Sequence, residues 1–200
     1  VQTAYAGGLA LGAFDDYLTA TTAAHLDRTV KSKNKDDSGI ERPEYSLMTG
    51  FIGTAWVADA LTENGYSDTA YRLIQSETYP SWLYSVVQGA TTIWERLNGY
   101  TVEHGFSGNN GMNSFNHYSF GAVAQWMICH SAGIQRDKPG FKHFLLKPGI
   151  DNQRGITQVD AYYDSPYGKI QSSWQTEAGQ LRYQARVPAN TSATVVLPVQ

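Results

Sequence analysis

The run GATTIWERLNGYTVEHG, residues 89–105, sets one acid, Glu95, directly after Trp94 in a stretch otherwise short of charge. Val86, Val87, Ala90, Ile93 and Leu97 give that carboxyl apolar neighbours. One chemistry that uses such an acid is glycoside hydrolysis, which takes two carboxyl groups, about 5–5.5 Å apart in retaining enzymes and about 6.5–9.5 Å apart in inverting ones. The same residue also reads as an acid at an exposed helix end beside Arg96, and the local sequence leaves both readings open.

Other polar groups lie within reach along the chain. Glu103 and His104 sit in an irregular stretch and read first as a solvated pair. His117, after the Asn-rich run that ends at Asn116, can present a ring nitrogen to a sugar hydroxyl. Trp82, Trp94 and Trp126 can floor a sugar subsite, although aromatic residues at helical spacing more often fill a core. Trp56, inside a close-packed run, is assigned to core. The 5 histidines show neither the HExxH spacing nor a Cys-containing cluster of a metal site. Nothing in the sequence calls for a metal or a cofactor. Cys129, the single cysteine, lies in AVAQWMICHSAG and reads as a buried thiol. Asn190–Ser192 is a glycosylation sequon, a pattern common by chance.

Composition narrows the class. With 15 Lys and Arg against 18 Asp and Glu, and Lys31, Lys33 and Lys35 offset by Asp36 and Asp37, nucleic acid is not expected as a partner. Tyr 13, Trp 5 and Phe 7 suit a carbohydrate groove, a large aromatic core or a subunit interface alike. No run approaches the roughly eighteen apolar residues of a spanning helix, and VQTAYAGG lacks the basic start and apolar core of a signal peptide. No glycine-rich phosphate loop follows a strand and there is no G-x-S-x-G elbow.

The elements that must position these groups fall into two regimes. Apolar residues recur at helical spacing from Ala4 to about Val30, as one or two helices. Residues 31–44, KSKNKDDSGIERPE, form an exposed connection without core. Leu47–Leu61 is apolar around most of its circumference. Its Gly50, Gly53, Ala55, Ala58 and Ala60 allow close backbone approach, as in the inner helix of a layered assembly. Asn64 and Gly65 then turn the chain into a helix that Ser67 can cap. Tyr79 and Pro80 break it; a second apolar helix is predicted from Ser81 to Leu97, interrupted near Gly89. Asn98–Asn116 is a loop, and His117–Ala132 a further helix ended by Gly133. From Phe141 about five strands alternate with turns. The predicted domains are 1–139, helical, and 140–200, β. Both chain ends lie in patterned sequence, so the chain is expected to be one piece of a longer polypeptide.

Several of these segments resemble one family. YPSWLYSVVQGATTIWERLNG (79–99), SFNHYSFGAVAQWM (114–127) and TGFIGTAWVADALTENGYSDTAYRLI (49–74) look like the later half of the catalytic domain of bacterial and fungal alpha-L-rhamnosidases. The stretch from AGIQRDKPGFKHFLLKPGI onward is similar to that family's exit into a C-terminal β-sandwich. The resemblance implies a partial (α/α)6 toroid followed by an incomplete antiparallel β-sandwich, and hydrolysis of terminal alpha-L-rhamnosides with inversion. By the same resemblance Glu95, in the ATT-x-WE motif, is the general base. His117 and Asn116, in S-F-N-H-Y, face the sugar, with Trp94 beside the base and Trp82 as a motif tryptophan. The family's general acid lies in a stretch like DCPQRDE, and nothing like it occurs here. The expected partners are therefore a rhamnose-containing glycoside and the preceding half of the barrel. Family habit points to a secreted or periplasmic location, with the cytoplasm left open. The alternatives are a non-catalytic carbohydrate-binding or structural remnant, a related (α/α)6 hydrolase for another sugar, or a helical interaction protein whose aromatics line no cavity. Aglycone and linkage are not readable.

Overall fold

The computed structural model describes residues 1–106, 111–153 and 155–198. The chain forms two compact units, Val1–Val123 and Ala124–Gln200. That border lies upstream of the change in sequence pattern near residue 140.

The first unit is helical: α1 (Gln2–Ala10), α2 (Asp16–Val30), α3 (Gly50–Glu63), α4 (Ser67–Ile74) and α5 (Trp82–Val87). A short antiparallel hairpin, β1 (Asn34–Lys35) with β2 (Glu41–Arg42), separates α2 from α3. The α3 helix packs on both α1 and α4, and Ala6, Leu26, Val30, Val57, Leu61, Ala70 and Leu73 fill the space between the helices. The predicted close approach occurs at Gly53. A Cβ there would lie 2.7 Å from Thr3 Oγ1 and 3.0 Å from Thr3 Cα, so only glycine lets α1 come this near. Trp56 is half-buried rather than core, its ring lying over Gly7.

Polar anchors fix the helix ends. Asp15 caps α2 by accepting from Leu18 N at 2.8 Å. Buried Gln2 donates to Ser46 O at 3.0 Å and accepts from Met48 N at 2.9 Å, holding the approach to α3. Ser67 does not cap α4; Tyr66 occupies the cap position, with no side-chain hydrogen bond.

Two predicted helices differ from what forms. The helix expected to reach Leu97 stops at Val87, because Gly89 turns the backbone to a φ of 95°. The next residues then pair with a later segment: Glu95 N donates to Ser114 O, and His117 N to Ile93 O, each at 2.8 Å. His117–Ala132, expected as one helix, is a 3-10 turn (Ser119–Ala122), one α-turn, α6 (Val123–Trp126), and a π-turn (Met127–Ser131). The wider turn closes with Ala132 N on Met127 O at 2.9 Å. Its last carbonyls are taken by side chains: Trp174 Nε1 donates to Ser131 O at 2.8 Å and Ser172 Oγ to Ala132 O at 2.6 Å. Gly133 then ends it, as predicted, in a left-handed conformation that no Cβ fits, with Lys147 backbone 2.2 Å from where one would stand.

Among the described residues, the second unit holds two three-stranded sheets. One contains β3 (Ile134–Arg136), β4 (His143–Leu146) and β8 (Ser192–Val195); the other is the meander β5 (Gln158–Ser165), β6 (Gly168–Glu177) and β7 (Gln180–Arg186). All pairings are antiparallel except β4 with β8, which is parallel. The short β3 escaped the pattern reading because three residues carry too little alternation to register. Ile134, Phe144 and Leu146 from the first sheet and Ile170 from the second share one buried cluster.

Candidate active site

Glu95 sits on the irregular segment after α5, and this segment is braced on several sides. Ser85 Oγ donates to Leu97 O at 2.8 Å, and Asn113 Nδ2 to Gly99 O at 2.9 Å. Thr92 Oγ1 donates to Phe115 O. The carboxyl is itself half tethered: Oε2 accepts from Ser114 N at 2.8 Å, while among the described residues Oε1 makes no hydrogen bond. One oxygen thus fixes the side chain and the other is left for a ligand or water.

The carboxyl lines a cleft of about 360 Å³ within the helical unit. Leu47, Met48, Phe51 and Phe120 give it an apolar lining, and Asp36, Asp37, Arg42 and Arg96 a charged one. The α3 N-terminus contributes Phe51, the cap region of α5 contributes Tyr79 and Pro80, and the β1–β2 hairpin contributes the two aspartates and Arg42. Arg42 lies over the Tyr79 ring at 4.8 Å and pairs with Asp36 at 2.6 Å. Burial alone would raise the Asp36 carboxyl; the hydrogen bonds from Arg42, Ile40 N and Ser38 N outweigh it and hold the group below its ordinary value.

The other expected site residues are placed as follows. His117 stacks on Phe51, a residue of the cleft lining, at 4.8 Å and 24°, and on Tyr118 at 5.8 Å. Its Nδ1 accepts from Ser119 N at 3.4 Å, which puts the proton of the neutral ring on Nε2 as a donor. The hydrogen bond from His117 N to Ile93 O ties it to the Glu95 segment. Asn116 is exposed and binds Ser114 Oγ through its main chain at 3.2 Å.

Trp82 and Trp94, which the resemblance groups with the sugar site, are both buried in the helical unit. Trp82 is buried and spends its indole N–H on Phe120 O at 2.8 Å, so it holds a residue of the cleft lining in place. Trp94, only 7% exposed, meets Phe115 edge-on at 4.9 Å and braces the segment that faces Glu95. Trp126, a third candidate, is likewise buried. Glu103 and His104 lie 3.6 Å apart on an exposed turn, as a solvated pair.

Asp37, Arg42, Phe51 and Tyr79 escaped the sequence reading as cleft residues. The available signal was the turn chemistry of DDSG followed by Arg42, which folds an apparent linker back over the cleft. Among the described residues no group of three or more His, Cys, Asp or Glu side chains is arranged to hold a metal ion, and no helix is long and apolar enough to cross a membrane.

Residues 1–130 match the bacterial alpha-L-rhamnosidase 6 hairpin glycosidase domain and residues 133–200 the bacterial alpha-L-rhamnosidase C-terminal domain. An alpha-L-rhamnosidase of Formosa agariphila is 40% identical over 159 residues, which are 80% of this chain and 17% of that protein. The crystal structure of Streptomyces avermitilis alpha-L-rhamnosidase complexed with L-rhamnose superposes with a TM-score of 0.86 at 33% identity, over 98% of this chain and 18% of that one. The native enzyme from Aspergillus terreus gives 0.86 at 30% identity, over all of this chain and 22% of its own. The chain therefore spans about a fifth of the length of the relatives it matches. It belongs to the bacterial alpha-L-rhamnosidase family, with a helical part from the glycosidase domain joined to the family's C-terminal domain.

Proposed function

We propose that this chain supplies the general base of an inverting alpha-L-rhamnosidase, and that the base is Glu95. The observation that carries the reading is the divided carboxylate: Oε2 is pinned by Ser114 N, and Oε1 is unbonded among the described residues on a side chain lining a partly apolar cleft. Such a group can hold one water in a fixed orientation. In the reaction Glu95 takes a proton from that water as the water oxygen bonds to the anomeric carbon. The glycosidic C–O bond breaks on the opposite face, and the leaving oxygen takes its proton from a second carboxylic acid. His117 Nε2–H is suited to donate to a ring hydroxyl.

That second acid is assigned to a segment outside these residues, in the preceding part of an (α/α)6 toroid, with the two sheets of the second unit forming part of a β-sandwich. The surface supports the docking of such a segment. Phe51, Ile52, Ile93 and Tyr118 are all exposed, Tyr118 by 87%, and line an apolar groove of about 730 Å³. Monomeric proteins seldom leave large contiguous patches of this kind uncovered.

The test is hydrolysis of a chromogenic alpha-L-rhamnoside by the full-length protein and its Glu95→Gln variant. Turnover that disappears in the variant while L-rhamnose binding persists supports the base. Binding without turnover in the unaltered protein would make the chain part of a carbohydrate-binding remnant.

A further inference from the structure

The β1–β2 hairpin brings two adjacent aspartates to the Glu95 cleft, and their situations are opposite. Asp36 is committed to structure. Its Oδ1 accepts from Ser38 N and Ile40 N, both at 3.0 Å, and its Oδ2 from Arg42 Nε at 2.8 Å. Arg42 in turn rests on the Tyr79 ring. The hairpin tip is thereby braced against another wall of the cleft. Asp37 lines the same cleft, is exposed, and makes no hydrogen bond or ion pair among the described residues. The fold therefore holds an unused carboxylate on a stiffened turn that shares a cleft with the proposed base.

The rest of the cleft indicates what such a carboxylate would meet. At about 360 Å³ the space is near the lower end for ligand pockets, a size for one ring rather than a chain. Its lining is part apolar, from Leu47, Met48, Phe51 and Phe120, and part charged, which matches a 6-deoxy sugar that has a methyl group and C–H face on one side and hydroxyls on the other. A carboxylate offers two acceptor oxygens at a spacing that adjacent ring hydroxyls can bridge.

We infer that Asp37 is a specificity-determining residue of the Glu95 cleft, its carboxylate accepting hydrogen bonds from neighbouring hydroxyls of the rhamnosyl ring. The inference rests on the assignment of this cleft to rhamnosides and deepens it. A site built to bond a hydroxyl discriminates strongly against analogues that lack it, because its own polar group is then left unpaired.

The experiment is calorimetric titration of the full-length protein and its Asp37→Ala, Asp37→Asn and Glu95→Gln variants. The ligands are L-rhamnose and analogues each lacking one ring hydroxyl, and thermal unfolding is followed in parallel. The result expected is an affinity for L-rhamnose lowered roughly tenfold or more in Asp37→Ala and by less in Asp37→Asn, with unfolding temperatures unchanged. The unaltered protein discriminates against at least one analogue, and Asp37→Ala loses that discrimination. An Asp37→Ala variant that binds L-rhamnose within about threefold of the unaltered protein, or that keeps the same ranking of analogues, overturns the inference. Failure of the functional reading shows separately, as undiminished hydrolysis by Glu95→Gln. A full-length protein that binds no L-rhamnose overturns both.

Discussion

The half-tethered carboxylate makes a quantitative demand on residue 95. Glu95→Gln keeps the length of the side chain, and its amide oxygen can still accept from Ser114 N, now at 2.8 Å from Oε2; only the ability to take a proton is lost. Glu95→Asp keeps the charge but removes one methylene, a retreat of roughly 1.3–1.5 Å along the side chain, by C–C bond geometry. The shorter carboxylate cannot both hold Ser114 N and present its second oxygen at the same point in the cleft. General-base catalysis is typically worth about 10²–10⁴-fold, and a displacement of about 1 Å can cost on the order of 10²-fold. The expected outcome is a kcat lowered by roughly 10³-fold or more in Glu95→Gln and by about 10²-fold in Glu95→Asp. KM should change little in either. Steady-state hydrolysis of an aryl alpha-L-rhamnoside by the full-length protein, with unfolding temperatures measured alongside, reads both effects. An Asp variant within a few-fold of the unaltered protein would refute the role given to the Ser114 tether. A fully active Gln variant would remove Glu95 from the chemistry.

The same structure yields further expectations. Asp36→Ala frees the hairpin tip and leaves Arg42 without its partner, so KM should rise several-fold with kcat less affected, as steady-state kinetics would show; an unchanged KM would mean that the hairpin does not wall the site. Because the folded-state pKa of Asp36 is lowered, the order it confers is present above the unfolded value and is lost as pH falls through the folded one. A carboxyl NMR titration should accordingly place Asp36 below the ordinary value of about 3.9. Gly53→Ala drives a Cβ to 2.7 Å from Thr3 Oγ1; crowding of about 1–3 kcal/mol outweighs a helix-propensity gain of at most about 1 kcal/mol. Unfolding should come about 2–4 °C earlier, at roughly 1 kcal/mol net, and a rise would show that propensity dominates. Trp82→Phe leaves the Phe120 carbonyl without its donor and should cost about 1–3 kcal/mol in denaturant unfolding; no change would mean that the bond is replaced by water.

What the sequence disclosed and what it hid follow the same physics. Periodicity and small-residue spacing were enough for α3 and for its approach to α1 at Gly53, because both are set by local side-chain volume. Alternation likewise marked β4 to β8. The path after α5 was not legible. Gly89 marked a point of interruption, but the pairing of residues 93–95 with 114–117 joins segments distant in sequence through hydrogen bonds that leave no periodic trace. That pairing shapes the candidate site: Trp94 is buried against Phe115 and Glu95 is tethered to Ser114. Residues 31–44 were read from polarity as an exposed connection without core. They do lack core, yet the Asp36 turn and its bonds to Arg42 make the segment a wall of the cleft. Glu95 itself stood out by context, and the motifs shared with the rhamnosidases, not its spacing, supplied its assigned role.

The most direct test of the central claim is the configuration of the first-formed sugar. Proton NMR of the full-length protein acting on an alpha-L-rhamnoside, followed before mutarotation sets in, should show the β anomer of L-rhamnose appearing first. The α anomer appearing first would contradict a base that delivers water from the face opposite the leaving group, and with it the role assigned to Glu95.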